Sequence, residues 1–141
     1  MRIFAIDTGS KRIGLAISDP TGVIASPLTV IKHVSILVDA ARVAEEARAN
    51  EADLIVIGQS LDDSGMLNFA GRRAVRFAEA LKTQTSLPIV FWDEAFTTQD
   101  ARATRIQMNV PRKNRSGHLD ALAASLLLQS YLEANPPTDI S

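Results

Sequence analysis

The first 31 residues decide the fold: M-R-I-F-A-I-D-T-G-S-K-R-I-G-L-A-I-S-D-P-T-G-V-I-A-S-P-L-T-V-I. Arg2–Asp7 is short, β-branched and apolar, and it stops at Thr8-Gly9-Ser10, a turn signal. Ile13–Ser18 is a second such run, closed by Asp19-Pro20-Thr21-Gly22. A third, Ala25–Ile31, carries Leu28, Val30 and Ile31 after Pro27. Links this short leave only antiparallel pairing, because a parallel crossover needs about a dozen residues or more.

Beyond Ile31 the period changes. From His33 or Ser35 to about Asn50, Ile36, Leu37, Ala40, Ala41, Val43, Ala44 and Ala47 recur at helical spacing. Asp53–Gly58 is a continuous apolar run, the pattern of a strand covered on both faces. Gln59–Met66 reads as a polar loop and Leu67–Thr83 as a second helix. Ile89–Trp92, entered from Pro88, is a further buried strand that ends at Asp93-Glu94. Thr97 or Thr98 can cap a third helix running to about Met108, with Pro111 as its limit. Gly117–Glu133 predicts a last amphipathic helix with Leu119, Leu122, Ala123, Leu126, Leu127 and Tyr131 on one stripe. Ala134–Ser141 reads as a flexible, proline-bearing tail. The resulting β-β-β-α-β-α-β-α-α order predicts an α/β domain: a mixed five-stranded sheet, three strands antiparallel and then two parallel, with helices on both faces. That order matches the ribonuclease H-like fold.

Composition bounds the chemistry. The 141 residues suit one domain, carry a net charge of −1, and include no cysteine. Disulfides, thiolate metal sites and cysteine nucleophiles are thereby excluded. The apolar run after Met1 is too short for a secretory signal, and no stretch approaches the roughly 20 apolar residues of a membrane span, so a soluble cytoplasmic protein with no membrane partner is expected. The two histidines, His33 and His118, lack zinc-ligand spacing, and no serine sits in a G-x-S-x-G context. Asp7-x-Gly9 with Gly14 is similar to the phosphate hairpin of two-domain sugar kinases, but this length cannot supply both domains. The near-zero charge is a sum of opposed regions. Ala101–Leu119 holds five cations (Arg102, Arg105, Arg112, Lys113, Arg115) and no acid, whereas Asp39–Asp63 holds seven acids against two arginines. A basic loop of this kind suits a polyanion.

Three acidic positions stand out by location. Asp7 ends the first strand, Asp93 and Glu94 end the last, and Asp120 lies early in the final helix. Each alone has an ordinary explanation: an Asx turn at Asp7, an exposed strand end at Asp93-Glu94, an acid favoured by the helix dipole at Asp120. Together, at one edge of such a sheet, they would repel, and a hard divalent cation relieves that repulsion. Mg²⁺ or Mn²⁺ fits an all-oxygen donor set, and two such ions about 4 Å apart clamp the attacking and leaving oxygens of a phosphoryl displacement. Of the neighbours Asp93 and Glu94, Glu94 is the preferred ligand, since adjacent strand side chains face opposite ways.

The run Ala5-Ile-Asp-Thr-Gly-Ser-Lys-Arg-Ile-Gly-Leu-Ala-Ile-Ser-Asp19 resembles the signature that opens the YqgF/RuvX family. The resemblance continues through Ile55–Gly58, through Asp93-Glu94 with Thr97-Thr98, and through His118–Glu133, in order and at the family's length. It implies a ribonuclease H-like, divalent-metal nuclease whose catalytic and metal-holding acids are Asp7, Glu94 and Asp120. It also implies phosphate contacts at Lys11 and Arg12, joined by the basic loop at Arg112, Lys113 and Arg115. Arg2 and Asp19 match motif positions with structural roles. The implied substrate is structured RNA, the 5′ end of pre-16S rRNA in ribosome biogenesis, with the ribosome as a partner. Branched DNA is the alternative, and a four-way junction would require a symmetric dimer rather than a monomer. The sequence departs from the family at Ala95, where an arginine is usual, and in Gly58–Gly65. Those departures motivate a third reading, a ribosome- or nucleic-acid-binding protein with weakened catalysis.

Overall fold

A computed structural model describes residues 1–96 and 115–137, with no side-chain description for Phe96 and residues 115–119. The helix expected from Thr97 or Thr98 to Met108, Pro111, the loop cations Arg112 and Lys113 and the end of the tail lie outside the described residues, as does the side chain of Arg115. The elements are β1 (Ile3–Thr8), β2 (Arg12–Ser18), β3 (Ala25–Lys32), α1 (Ile36–Ala49), β4 (Leu54–Gln59), α2 (Phe69–Lys82), β5 (Ile89–Asp93), a 3-10 turn (Glu94–Phe96) and a helix, here α3 (Arg115–Ala134). They form one mixed sheet in the order β3-β2-β1-β4-β5, antiparallel from β3 to β1 and parallel from β1 to β5. This is the expected ribonuclease H-like arrangement, with β1 at the centre.

Strand parity divides the core. Phe4, Ile6, Leu15, Ile55 and Ile57 face one side and pack against Val43, Ala44, Phe77 and Leu81 of α1 and α2. Ile3, Ala5, Ala16 and Val56 face the other and meet Ala124, Leu128 and Leu132 of α3. Helix starts follow from local chemistry. The Ser35 hydroxyl accepts from the Val38 N–H, and the Asn68 side chain from the Gly71 N–H, each satisfying a donor the helix itself cannot.

Pro27 lies within β3, as the Ala25–Ile31 run implies, paired with Ala16 beside a bulge; an edge strand tolerates the missing N–H. Two details differ from the sequence expectations. The second helix starts at Phe69, because Asn68 caps it. The buried face of α3 is Ala121, Ala124, Ser125, Leu128 and Leu132 with Leu127, not the stripe through Leu122, Ala123, Leu126 and Tyr131, all four only partly buried. This helix is apolar nearly all round, so periodicity does not fix its phase. Backbone proximity to the sheet does, and small residues permit it.

Candidate active site

Two glycines shape the site. Asp7, the penultimate residue of β1, is the register partner of Gly14 on β2. A Cβ on Gly14 would lie 1.9 Å from the backbone carbonyl oxygen of Asp120, so only glycine lets α3 rest on β2 at this height. That contact brings Asp120 down beside the end of β1. On the other flank, a Cβ on Gly58 of β4 would lie 2.9 Å from Glu94 Oε1 and from a Leu127 methyl. The space above Gly58 is therefore filled by the Glu94 carboxyl. Parity puts Asp7 on the same sheet face as Ala5, the α3 face.

Glu94 is the first residue of the 3-10 turn rather than the last of β5. Asp93 Oδ1 accepts the Ala95 N–H at 2.9 Å, which makes Asp93 the cap of that turn. The Glu94 carboxyl instead hydrogen-bonds the Asp7 carboxyl. Burial holds the Asp7 carboxyl well above its ordinary range, reinforced by the Glu94 hydrogen bond and by the negative charges of Glu94 and Asp120; the Arg73 guanidinium opposes the shift. Two carboxyls joined by a hydrogen bond share a proton, which is the relief available to them without a cation.

Asp120 is near enough to act on Asp7 electrostatically, but its Oδ2 is 3.0 Å from Arg12 Nε, with both side chains more than a third exposed. Asp7 and Glu94 are thus together, and Asp120 is held by Arg12. Among the described residues no three of His, Cys, Asp and Glu converge closely enough to hold an ion in this conformation. Lys11 is exposed on the turn after β1, where its carbonyl accepts the His33 N–H at 2.9 Å. Arg2 and Asp19 have structural partners. The Arg2 N–H donates to Asp53 and its guanidinium to the Asn50 carbonyl. Asp19 accepts from the backbone of Ile24, Val23 and Thr21 and from the Thr21 hydroxyl, which together hold its carboxyl below the ordinary range.

Arg73 is one of three arginines, with Arg72 and Arg76, in the first turns of α2, and nothing local in the sequence marks it out. Its Nη2 donates to the Thr8 carbonyl at 3.3 Å, its charge acts on Asp7, and its buried Nε has no hydrogen-bond partner. The available signal is spacing: Arg73 lies four residues before the buried Phe77, on the inward face of the helix.

The donor set of Asp7, Glu94 and Asp120 is entirely carboxylate oxygen and mutually repulsive, which fits a hard divalent cation once Asp120 leaves Arg12. Comparison with known proteins agrees with a nuclease architecture. A family model described as RuvX, Holliday junction resolvase, matches residues 1–134. A protein of Thermoanaerobacter pseudethanolicus named "Putative pre-16S rRNA nuclease" is 40% identical over 135 residues, 95% of this chain and 97% of that protein. One of the same name from Syntrophus aciditrophicus is 40% identical over 134 residues, 95% of this chain and 89% of that protein. Among solved structures, Thermus thermophilus RuvC in complex with a Holliday junction substrate superposes with a TM-score of 0.60 at 19% identity, covering 96% of each chain. The fowlpox virus Holliday junction resolvase gives 0.57 at 19% identity, over 95% of this chain and 99% of that one.

Proposed function

The chain belongs to the RuvX family, and from that premise we propose that it is a divalent-metal-dependent endonuclease that cuts structured RNA at the 5′ end of pre-16S rRNA. The observation that carries this reading is the carboxylate arrangement: Asp7 hydrogen-bonded to Glu94, under the charge of Asp120, and flanked by the cations Arg12 and Arg73. Asp7, Glu94 and Asp120 would hold Mg²⁺ or Mn²⁺. When bound, the ions supply Lewis-acid stabilisation of the phosphodiester and of the water that attacks it.

The chain's own residues do the rest. In their ionised forms Asp7 and Glu94 would serve as an adjacent pair of oxygen ligands. Arg12 exchanges Asp120 for a phosphate of the substrate, which frees Asp120 to join the other acids and places the backbone beside them. Charge neutralisation at Lys11 and Arg12, continued by Arg112, Lys113 and Arg115, holds the strand. The Arg73 guanidinium favours the ionised form of Asp7, opposing the burial and the neighbouring carboxylates that disfavour it.

A second reading, cleavage of a four-way DNA junction by a symmetric dimer, is favoured by the description of the matching family. The test is direct. Purified protein is given a labelled pre-16S leader and a synthetic junction in parallel, with Mg²⁺, Mn²⁺ or EDTA. Metal-dependent cutting of the leader, with the junction cut at least tenfold more slowly, is the expected result. Preferential, paired cutting of the junction would instead select the second reading, and binding without cutting of either would end both.

A further inference from the structure

Two cavities adjoin at the turn after Asp7 and share Lys11, Arg12 and Arg73 with the site described above. One, of about 110 Å³, opens at Thr8, the residue after Asp7, on the opposite sheet face. Its walls include Ile36 at the start of α1 and the buried Phe77 of α2, and its polar lining includes Arg73, Arg76, His33 and Asp39. The other is a groove of about 500 Å³, lined by Lys11, Arg12, Lys32 and Val30 and by no acid. Ser10 and His33 line both, so the two adjoin at those residues.

His33 is held at that junction by a dedicated carboxylate. Asp39 is buried, with its Oδ2 2.5 Å from His33 Nδ1 and its Oδ1 accepting the Val34 N–H at 3.0 Å. Burying a carboxylate is costly unless its partners are fixed, and here the partner is a ring that remains nearly half exposed. Arg73, which touches the Thr8 carbonyl, retains an unpartnered Nε, an unusual state for a buried donor.

These shapes discriminate between nucleic-acid forms. An open cationic groove tracks phosphates of either a single strand or a duplex. A small cavity with Ile and Phe walls and an oriented imidazole at its mouth admits one planar base and excludes a base pair. We propose, resting on the nuclease reading above, that the groove and cavity together bind an unpaired stretch of RNA immediately beside the cut. The groove takes the phosphates on Lys11 and Lys32, and the cavity takes one unstacked base between His33, Ile36 and Arg76.

The test uses the full chain carrying Asp7→Asn, which silences cutting, and fluorescence anisotropy with three RNAs: a stem with an unpaired flank, the same flank paired to a complementary strand, and flanks with one abasic nucleotide scanned along them. Pairing the flank is expected to weaken binding about tenfold, and one abasic position to cost about the same, in line with a single lost stacking contact. Ile36→Trp, which fills the cavity at a partly exposed position, should impose that loss on intact RNA and add nothing to the abasic loss. Arg76→Gln, at an exposed position on the cavity rim, should behave alike, and Lys32→Gln should lower the salt slope by about one. Equal affinity for paired and unpaired flanks, or no sensitive abasic position, overturns the proposal while leaving the nuclease reading intact. Failure to bind any of the three RNAs overturns both.

Discussion

Gly14→Ala is the substitution that separates this arrangement from a merely similar one. Without α3 in place, alanine in a strand would be an improvement on glycine by roughly 0.5–1 kcal/mol. With α3 in place, the new methyl lies 1.9 Å from the Asp120 carbonyl oxygen, about 1.5 Å short of the 3.4 Å at which ordinary contact begins. The obstacle is backbone, so no rotamer change removes it. Overpacking of this kind costs about 1–3 kcal/mol, which exceeds the intrinsic gain and sets the sign. The helix must lift by about the missing distance, carrying Asp120 with it, and a misplacement of about 1 Å in a catalytic group costs roughly a hundredfold in rate. Urea unfolding followed by tryptophan fluorescence reads the first effect. Trp92, the only tryptophan, bonds Ser130 of α3 at 3.1 Å and meets Tyr131 edge to face at 5.4 Å. Single-turnover cleavage reads the second. A Gly14→Ala protein that is more stable than wild type and cuts at the wild-type rate would refute the account of how α3 delivers Asp120.

Other expectations follow from the same contacts. Asp7→Asn should stabilise the metal-free protein at pH 7. The folded state holds this carboxyl above its unfolded value near 3.8, so Asp7 withdraws stability as pH rises from about 4 through its raised value, and the gap between the two proteins should close below that range in pH-dependent urea melts. Ser18→Ala should cost about 1–3 kcal/mol in the same assay, because the buried hydroxyl accepts the Ile3 N–H at 2.8 Å and donates to the Asp19 carbonyl at 2.9 Å. Replacing Arg112, Lys113 and Arg115 together by glutamine should reduce the salt slope of RNA binding by about 2 to 3 in a fluorescence titration.

The sheet was legible in the sequence because its signals are local. Three apolar runs with links too short for crossovers admit one pairing pattern, and Asp53–Gly58 reads as buried on both faces without reference to anything else. Strand parity favoured Glu94 over Asp93, but Glu94 lies beyond the strand: the 3-10 turn, capped by Asp93, is what sets the Glu94 carboxyl against Asp7. What the sequence withheld depends on contacts between distant segments. The phase of α3 is set by backbone approach at Gly14, 106 positions before Asp120. The Arg12–Asp120 pair joins residues read separately as a phosphate contact and a metal ligand, and nothing in either neighbourhood signals their meeting. Arg73 was hidden among surface arginines because a helical pattern shows which face is inward only after its buried partner, Phe77, is identified.

The role proposed for Asp7 is to ionise beside Glu94 and Asp120 and so hold a divalent ion at the site of cleavage. Its most direct test is the cleavage rate of a labelled pre-16S leader by wild type and Asp7→Asn in Mg²⁺ and in Mn²⁺, with folding verified by Trp92 fluorescence. Cutting that requires the ion in wild type and falls at least a thousandfold in the variant, beyond the roughly hundredfold expected of a merely displaced group, is the predicted result. Cutting at an unchanged rate in folded Asp7→Asn would contradict it.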